Sequence, residues 1–335
     1  MTQPALSVCI CTHDRPEDVA RCLAGLAAQT LAREQFEVLV IDSASPPAAA
    51  RALRHVVAAF PGARLLREDT AGLSRARNAG AAAAAASWIA YLDDDAVPAP
   101  DWGAAAVAVL AESPSAGLLS GRVLPAWEAP LPRWWPARLR GVLSIVETEG
   151  QGPYGGPALP AGLEPCGANL LVALAALRAA GGFETAIGRQ GRILLSDEET
   201  YLAARLRAAG WTLHYDGRLV VHHRILAARL TPAWLLERLY WQGVSSARTR
   251  RLLGRPVWRE VPRRMAVALA CAPAALLPPG RPWLLGARWR FAYALGFLRE
   301  MFGGQGGVRH QRVRSAGPAS RRGPTATVNA RSAAG

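Results

Sequence analysis

The 335-residue sequence contains no lysine, so all 39 of its basic side chains other than histidine are arginines. A chain without lysine cannot form a Schiff base through a lysine amine, and it cannot supply the lysine of a phosphate-binding P-loop. Both classes of mechanism are excluded. The formal net charge of +14 suits nucleotide phosphates, acidic lipid surfaces or nucleic acid as partners. Most of the excess charge lies towards the C-terminus, so it need not describe an active site.

The sequence also has few cysteines and no clear targeting segment. Its five cysteines are odd in number and show no C-x-x-C spacing: Cys9, Cys11, Cys22, Cys166 and Cys271. This pattern favours a reduced, cytosolic compartment. Residues 1–4 contain no basic region followed by an apolar core, so we expect no signal peptide. The apolar run 265–279 contains prolines and is too short to predict a membrane span.

The first part of the chain alternates between strand-like and helix-like segments. Segments 6–11, 36–41 and 63–67 are predicted strands, and the helix opened by Pro16 and a helix over 48–60 lie between them. A hydrophobic content of 51% allows a substantial core, as one large domain or two lobes. The alternation predicts a parallel, doubly wound sheet.

A buried strand is predicted over 88–92, and it runs directly into three carboxylates, Asp93, Asp94 and Asp95. Ligands of open α/β sheets bind at the carboxyl ends of the strands. Adjacent acids repel one another unless a cation joins them, and Mg²⁺ or Mn²⁺ shares oxygen ligands with substrate phosphates. A solvated acidic turn closed by Pro98 is the alternative. The residues alone leave both interpretations open.

The segment 72–78, Gly-Leu-Ser-Arg-Ala-Arg-Asn, opens a helix that continues through a polyalanine stretch to Ala86. Ser74 is the predicted N-cap, and alanine is the best helix former. The first turn offers free N–H groups and two arginines, which suit a diphosphate. A solvated basic helix face is the other interpretation.

Three later segments contain candidate functional residues. The Pro- and Gly-rich segment 125–165 contains Trp134 and Trp135, whose rings could stack on sugars, lie at a lipid interface or pack as a small core. Ser196 caps a predicted helix whose acidic start either suits the helix dipole or presents a general base. Strands are predicted over 211–215 and 219–223, the second ending in His222 and His223, of which only one can face a shared site.

In this order the motifs resemble those of the family 2 glycosyltransferases, inverting enzymes of the GT-A fold, over roughly residues 5–225. The resemblance implies an α/β fold with a doubly wound, mostly parallel but mixed sheet, helices on both faces and a C-terminal helical extension. We expect a nucleotide-sugar-binding half (1–125), an acceptor-binding and catalytic half (126–228), a helical region (229–302) and a disordered basic tail (303–335). The helical region either packs on the core or contacts an anionic membrane peripherally.

The resemblance also implies roles for individual residues. The donor-binding residues are Thr12, Arg15, Asp42, Arg77, Asn78, Asp93 and Asp94. The acceptor side is formed by Gly167, Ala168 and Asn169, and we add Trp134 and Trp135 to it. Asp95 and His223 are the implied ligands of Mn²⁺ or Mg²⁺. The catalytic base is Glu199 or Glu198, because Glu198-Glu199 stands where the family has Glu-Asp.

The implied activity is transfer of a sugar from a nucleoside-diphosphate sugar to an acceptor hydroxyl by metal-assisted, inverting displacement. The acceptor is a glycan, a lipid-linked molecule or a small molecule, and no specific nucleic acid is expected. We further expect a bacterial enzyme of polysaccharide or glycoconjugate biosynthesis, cytoplasmic or at the cytoplasmic face of the inner membrane.

Two alternatives remain at the level of sequence. A sugar nucleotidyltransferase generally has a Gly-rich loop after the first strand and a lysine, whereas segment 12–16 has no glycine. A non-catalytic, arginine-rich protein that binds membrane or nucleic acid leaves the ordered acidic clusters unexplained.

Overall fold

A mixed β-sheet with helices on both faces forms the body of the protein. The computed structural model describes residues 3–191, 193–277 and 284–303. The strands are β1 (Leu6–Thr12), β2 (Phe36–Ser43), β3 (Ala63–Glu68), β4 (Trp88–Asp93), β5 (Ala96–Pro98), β6 (Ala116–Trp127), β7 (Gln151–Pro153), β8 (Asn169–Ala173) and β9 (Thr212–Ile225). The helices are α1 (Pro16–Ala27), α2 (Pro47–Ala58), α3 (Leu73–Ala83), α4 (Trp102–Glu112), α5 (Leu174–Ala179), α6 (Glu198–Ala208), α7 (Pro232–Leu252), α8 (Val261–Leu276) and α9 (Leu285–Phe302).

The strand order is β3-β2-β1-β4-β8-β6-β9-β5, with β7 paired to β9. The pairs formed by β1, β2, β3 and β4 are parallel, as predicted from the alternation. Beyond β4 the sheet becomes mixed, because β8 runs antiparallel to both β4 and β6. In the parallel half Thr12 lies beside Asp42, and Cys11 lies beside Asp93. The carboxyl ends of β1, β2 and β4 therefore meet at one edge.

Alternate residues of β1 enter two separate cores. Val8 and Ile10 pack with the apolar faces of α1, α2 and α4. Cys9 and Cys11 lie on the opposite face, as their spacing predicts, with residues of α3, α5 and α6. Helix α3 lies close to β1 because Gly80 has no side chain: a methyl group there would overlap the Sγ of Cys9. The predicted α/β class with helices on both faces is confirmed.

Several predicted element ends are wrong. Helix α3 is capped at Gly72 and ends at Ala83, whereas we predicted a cap at Ser74 and an end at Ala86. Ser74 lies inside the helix, where its hydroxyl donates to the Ile187 carbonyl. Helix α6 is capped by Asp197 and not by Ser196.

The two strands predicted over 211–215 and 219–223 form one strand, β9. The residues between them do not turn away from the sheet. A bulge in the β6–β9 ladder absorbs them, since Gly121 pairs with Asp216 and the next residue of β6 pairs with Val220. As a result β9 runs past His223 to Ile225.

The C-terminal helices dock on the end of β9 and on the long segment between β6 and β8. Leu235 and Leu239 of α7 and Trp289 of α9 share an apolar cluster with Trp135 and Ile225. No helix in the described ranges is long and apolar enough to cross a membrane. The predicted domain boundaries at 125, 228 and 302 stay predictions, and the predicted disordered tail, except for Gly303, lies outside the described residues.

Helices α7 and α9 cross with their backbones in contact. A methyl group at Gly243 of α7 would overlap the Tyr293 carbonyl oxygen. A methyl group at Gly296 of α9 would overlap the Tyr240 carbonyl oxygen. The two glycines therefore set the separation of the two helices.

Candidate active site

A cavity of about 500 Å³ opens at the edge where β1, β2 and β4 end. Thr12, Ser43 and the three aspartates 93–95 line it on the sheet side. Glu198 and Glu199, at the start of α6, line it on the other side. This edge is the expected ligand-binding edge of such a sheet.

Asp94 is held by the end of β1. The hydroxyl of Thr12 donates to its Oδ2 at 2.7 Å, and Arg15 donates to its Oδ1 at 3.1 Å. Burial and then the charge of Asp95 raise the pKa of Asp94 to about 7. Asp94 therefore faces inward, towards Thr12 and Arg15.

Asp95 has a strongly cationic environment. Its Oδ1 lies 3.2 Å from Nε2 of His223, and its Oδ2 accepts from Arg229 at 2.8 Å and from Arg15 at 3.2 Å. Burial alone would raise the pKa of Asp95, but the hydrogen bond and charge of His223 and the charges of Arg229 and Arg15 lower it more.

The pairing of β5 with β9 brings His223 to Asp95. Ala96 lies opposite His223 in this antiparallel ladder, and the Arg224 N–H donates to the Asp95 carbonyl at 2.8 Å. Neighbouring residues of a strand point to opposite faces, so His222 is exposed while His223 is buried. His223 is thus the histidine of the pair that lies in the cavity.

Asp95 and His223 fit a divalent cation that is shared with a substrate. Their facing atoms are 3.2 Å apart, and adjacent ligands of an octahedral cation with bonds of about 2.1 Å stand about 3 Å apart. In the part of the chain that the structure describes, no group of three His, Cys, Asp or Glu side chains is placed to hold a metal. Phosphate oxygens of a substrate would have to complete such a site, which is how Mg²⁺ is commonly held.

Arg77 joins the two acidic groups of the cavity. Its side chain is only 1% exposed, and its Nη1 donates to Glu198 and to Glu199 at 3.1 Å each. Its Nη2 lies 3.4 Å from Asp93. Burial would lower the pKa of Arg77, but Glu199, Glu198 and Asp93 raise it more, so the guanidinium stays charged.

Glu198 and Glu199 have different environments although both bind Arg77. Burial and the charge of Glu199 raise the pKa of Glu198 to about 8, and its Oε2 has no hydrogen-bond partner among the described residues. The Glu199 side chain is 15% exposed and contacts the cavity wall at Gly167. A methyl group at Gly167 would overlap Oε1 of Glu199 and Nη2 of Arg77, so an alanine there would displace these two side chains.

Comparison with known proteins gives a family match over the first part of the chain. The model of "Glycosyl transferase family 2" matches residues 7–148, which hold β1 to β4 and the three aspartates. A glucosyl-dolichyl phosphate glucuronosyltransferase from Haloferax volcanii is 25% identical over 243 residues, which are 72% of this chain and 75% of that protein. Residues 7–148 of the chain match glycosyltransferase family 2, and the protein is a glycosyltransferase.

Two further proteins are similar to this glycosyltransferase. The glycosyltransferase AglE of Haloferax volcanii is 31% identical over 102 residues, 30% of this chain and 34% of that protein. A mannosyltransferase from Pyrobaculum calidifontis, solved with GDP-Man and Mn²⁺, superposes with a TM-score of 0.58 at 20% identity, covering 91% of this chain and 89% of that one. That similarity shows that the fold is GT-A. These sources are archaeal, and a bacterial origin stays a prediction.

Two residues predicted to contact the donor have local structural partners in this glycosyltransferase. Asp42 accepts from Arg67 at 2.7 Å and from the Ser45 N–H at 2.9 Å. The Asn78 side chain bonds both backbone polar groups of Phe183. Neither lines the cavity. Donor contacts by Asp42 and Asn78 stay predictions.

The predicted acceptor residues divide into two groups. Gly167 and Ala168 line the cavity. Asn169 is fully buried: it accepts from the Trp102 indole N–H and donates to the carbonyls of Arg122 and Leu219. These bonds use the whole side chain, so Asn169 does not reach an acceptor in this structure.

The tryptophans predicted on the acceptor side lie outside the cavity lining. Trp135 is 6% exposed and packs beside Trp134 and Trp234 in the apolar cluster under the C-terminal helices. Packing as a small core is one of the interpretations that the sequence leaves open, and it describes Trp135. A contact of either ring with an acceptor stays a prediction.

Sequence reasoning missed three arginines of the cavity, Arg189, Arg229 and Arg238. Arg229 follows shortly after β9, and Arg238 lies in the first half of α7. No motif marks them, because arginine is abundant throughout the chain. The only signal was the position of Arg229 shortly after His223.

Proposed function

We propose that this glycosyltransferase moves a sugar from a nucleoside-diphosphate sugar to an acceptor hydroxyl with inversion at the anomeric carbon. The observation that supports it is the sharing of one cavity by the Asp95–His223 pair and the Arg77-linked pair Glu198–Glu199. The Asp95–His223 pair suits the departing diphosphate, and the Glu198–Glu199 pair suits the attacking hydroxyl.

The diphosphate side of the proposal consists of Asp95, His223, Arg15 and Arg229. Asp95 and His223 would hold Mn²⁺ or Mg²⁺, which when bound offsets the negative charge of the departing diphosphate. Arg15 and Arg229 now bind the Asp95 carboxylate, and they are the cations nearest to it. Their guanidinium groups orient the diphosphate and stabilise the charge that develops on it.

The base in this proposal is Glu199. Glu198, with a pKa raised to about 8, keeps its proton near neutral pH and cannot accept another. Glu199 borders Gly167 and Ala168, where an acceptor can enter. Its carboxylate takes the hydroxyl proton while the acceptor oxygen bonds to the anomeric carbon and the bond to the diphosphate breaks. Attack from the face opposite the leaving group inverts the carbon in one step.

The test of the base is Glu199→Gln, with Glu34→Gln at an exposed position as the matched control. We expect Glu199→Gln to lower the transfer rate by about 10²–10⁴-fold, the contribution typical of a positioned base, while nucleotide affinity is kept. NMR of the product's anomeric proton reports the stereochemistry. Transfer at the wild-type rate, or a product that retains the donor's configuration, would contradict the proposal.

The test of the metal site is Asp95→Asn. We expect the variant to bind Mn²⁺ in the presence of nucleoside diphosphate at least about tenfold more weakly, because it loses a charged ligand. Electron paramagnetic resonance of Mn²⁺ measures this without any turnover. Unchanged Mn²⁺ affinity in Asp95→Asn would remove this residue from the site.

The proposal extends to a lipid-linked acceptor used at the cytoplasmic face of a membrane. The Haloferax relative is named for action on glucosyl-dolichyl phosphate. The C-terminal region of this chain exposes large apolar side chains, with Trp258 66%, Leu269 73% and Phe302 70% exposed. Exposed apolar groups among arginines suit the surface of an anionic membrane.

A further inference from the structure

The cavity holds arginines that have no carboxylate partner among the described residues. Arg15, Arg77 and Arg229 each form ion pairs with cavity carboxylates. Arg238 is 8% exposed and lines the same cavity, but its Nε and Nη1 are buried without any hydrogen-bond partner in the described part of the chain. A buried guanidinium without a counter-ion is costly, so its place in the cavity calls for an anionic ligand.

The acids nearest to Arg238 are already engaged. The Asp197 carboxylate accepts from Gln242 at 2.6 Å and from the Ser196 hydroxyl at 3.2 Å. Glu198 and Glu199 are bound by Arg77. Arg238 therefore stays among carboxylates without pairing with any of them.

Arg189 is a second cation of this kind. It lines the cavity, and its side chain makes no ion pair among the residues that the structure describes. Burial, and then the charge of Arg229, lower the pKa of Arg189. Burial, and then the charge of Arg189, lower the pKa of Arg238 to about 10. Arg229, Arg189 and Arg238 all line the same cavity.

Arg229 and Arg238 have different neighbours in this cavity. Arg229 binds Asp95 at the diphosphate end. Gln242, one turn after Arg238 on α7, donates to Asp197 at 2.6 Å, and Asp197 caps α6 directly before Glu198 and Glu199. Arg238 thus stands at the end where the proposed base meets the acceptor.

We propose that Arg238 and Arg189 form an anion subsite that binds a phosphate group carried by the acceptor. This rests on the function proposed above, because it takes Glu199 as marking the acceptor end. A phosphate carries up to two charges and three oxygens, so it can accept hydrogen bonds from both guanidinium groups at once. A carboxylate has one charge and fits the pair less well.

The test measures binding to the full-length protein in the presence of Mn²⁺ and a saturating nucleoside diphosphate, with UDP in one series and GDP in another. The nucleoside diphosphate fills the donor diphosphate site. The probes are octyl phosphate, inorganic phosphate, octanoate and the neutral octyl glucoside, each titrated by calorimetry. We expect octyl phosphate to bind and octyl glucoside not to bind. Tighter binding of octyl phosphate than of inorganic phosphate would identify a phosphate attached to a chain, and equal binding would identify the phosphate group alone.

The variants are Arg238→Gln and Arg189→Gln, with Arg51→Gln on the exposed face of α2 as the matched control. We expect each cavity variant to weaken octyl phosphate at least about tenfold, as loss of a charged hydrogen-bond partner does, and the control to have no effect. If Arg238→Gln does not fold, by its circular dichroism spectrum, Arg189→Gln tests the same subsite.

Three results would overturn the subsite. If octyl phosphate binds both variants as tightly as wild type, the two arginines do not form the subsite. If octanoate binds as tightly as octyl phosphate, the subsite does not recognise phosphate. A parallel loss of UDP or GDP affinity would place Arg238 in the donor site. Failure of the proposed function looks different: nucleotide would then bind without any effect of Mn²⁺, and Glu199→Gln would transfer sugar normally.

Discussion

The three adjacent aspartates have three different sets of partners. Asp93 faces Arg77, Asp94 faces Thr12, and Asp95 faces His223. The sequence predicts the cluster, because an apolar run ends in acids at a strand end. It also predicts the pairing of Asp95 with His223, through the family resemblance. It could not predict the contact of Arg229 with Asp95, because no motif marks this residue among 39 arginines.

At the scale of single residues, Glu198 makes the protein less stable as pH rises. Its pKa is about 8 in the folded state against an ordinary value of 4.5, so the folded chain keeps a proton that the unfolded chain loses. The free energy of unfolding therefore falls between these two values, and the loss is complete above the higher one.

Glu198→Gln removes this pH dependence because glutamine does not ionise. We expect the variant to exceed wild type in stability at a pH of about 8.5 by about 1 kcal/mol or more, since one pKa unit corresponds to about 1.4 kcal/mol. The advantage should shrink at a pH of about 5.5, where the folded wild type keeps its proton. Urea unfolding at both pH values measures it, with Glu34→Gln as the exposed control. A variant that is destabilised equally at both values would show that the Arg77 contact dominates.

At the scale of elements, the first half of the chain is closer to its sequence prediction than the second half. The predicted strands 6–11, 36–41 and 63–67 match β1, β2 and β3 within two residues. Their apolar residues are bounded by turns and separated by amphipathic helices, so local pattern is sufficient. The sequence predicts two strands in place of β9 because Asp216-Gly217-Arg218 has the composition of a turn, whereas pairing with β6 keeps these residues in the sheet.

The crossing of α7 and α9 depends on glycine at the contact. We expect Gly296→Ala to destabilise the protein by about 2 kcal/mol or more, because the added methyl group meets the Tyr240 carbonyl and the helices must separate. Gly286→Ala on the same helix is the matched control, since nothing described lies within 4 Å of the added methyl group.

At Gly286 the better helix propensity of alanine should stabilise α9 by up to about 1 kcal/mol. Thermal and urea unfolding of both variants measure the difference. Equal effects of the two substitutions would mean that the helix contact contributes nothing specific to stability.

At the scale of the whole molecule, charge and exposed apolar surface coincide in the C-terminal region. Leu269 is 73% exposed on α8, and Arg263 on the same helix is exposed. We expect the protein to float with vesicles that contain anionic lipid and not with neutral vesicles, because polybasic segments gain about 1 kcal/mol per arginine near an anionic surface.

Leu269→Ser and Arg263→Gln should each reduce flotation with anionic vesicles, while Arg51→Gln on α2 should leave it unchanged. Equal flotation of all three variants would show that the membrane contact lies elsewhere. No flotation of the wild-type protein would remove the membrane from the proposal.

The candidate site as a whole could be predicted only where its residues belong to ordered motifs. Thr12, Asp93–Asp95, Glu198–Glu199 and His223 were found in this way, and the structure brings them to one cavity. Asn169 and Trp135 lie outside the cavity lining, because sequence order does not show which side of the backbone a residue takes. Arg189 and Arg238 were missed because long-range packing places them, and one arginine among 39 carries no local signal.

The continuity of the chain from β9 into α7 constrains how such enzymes can be recombined. His223, Arg229 and Arg238 lie close together along the chain and all line the cavity, and the proposed function assigns them to its diphosphate end and then to its acceptor end. A chimera joined at residue 228 would take both arginines from the other parent. A junction after α7, at residue 252, would keep the whole cavity together and exchange only α8, α9 and the residues C-terminal to them.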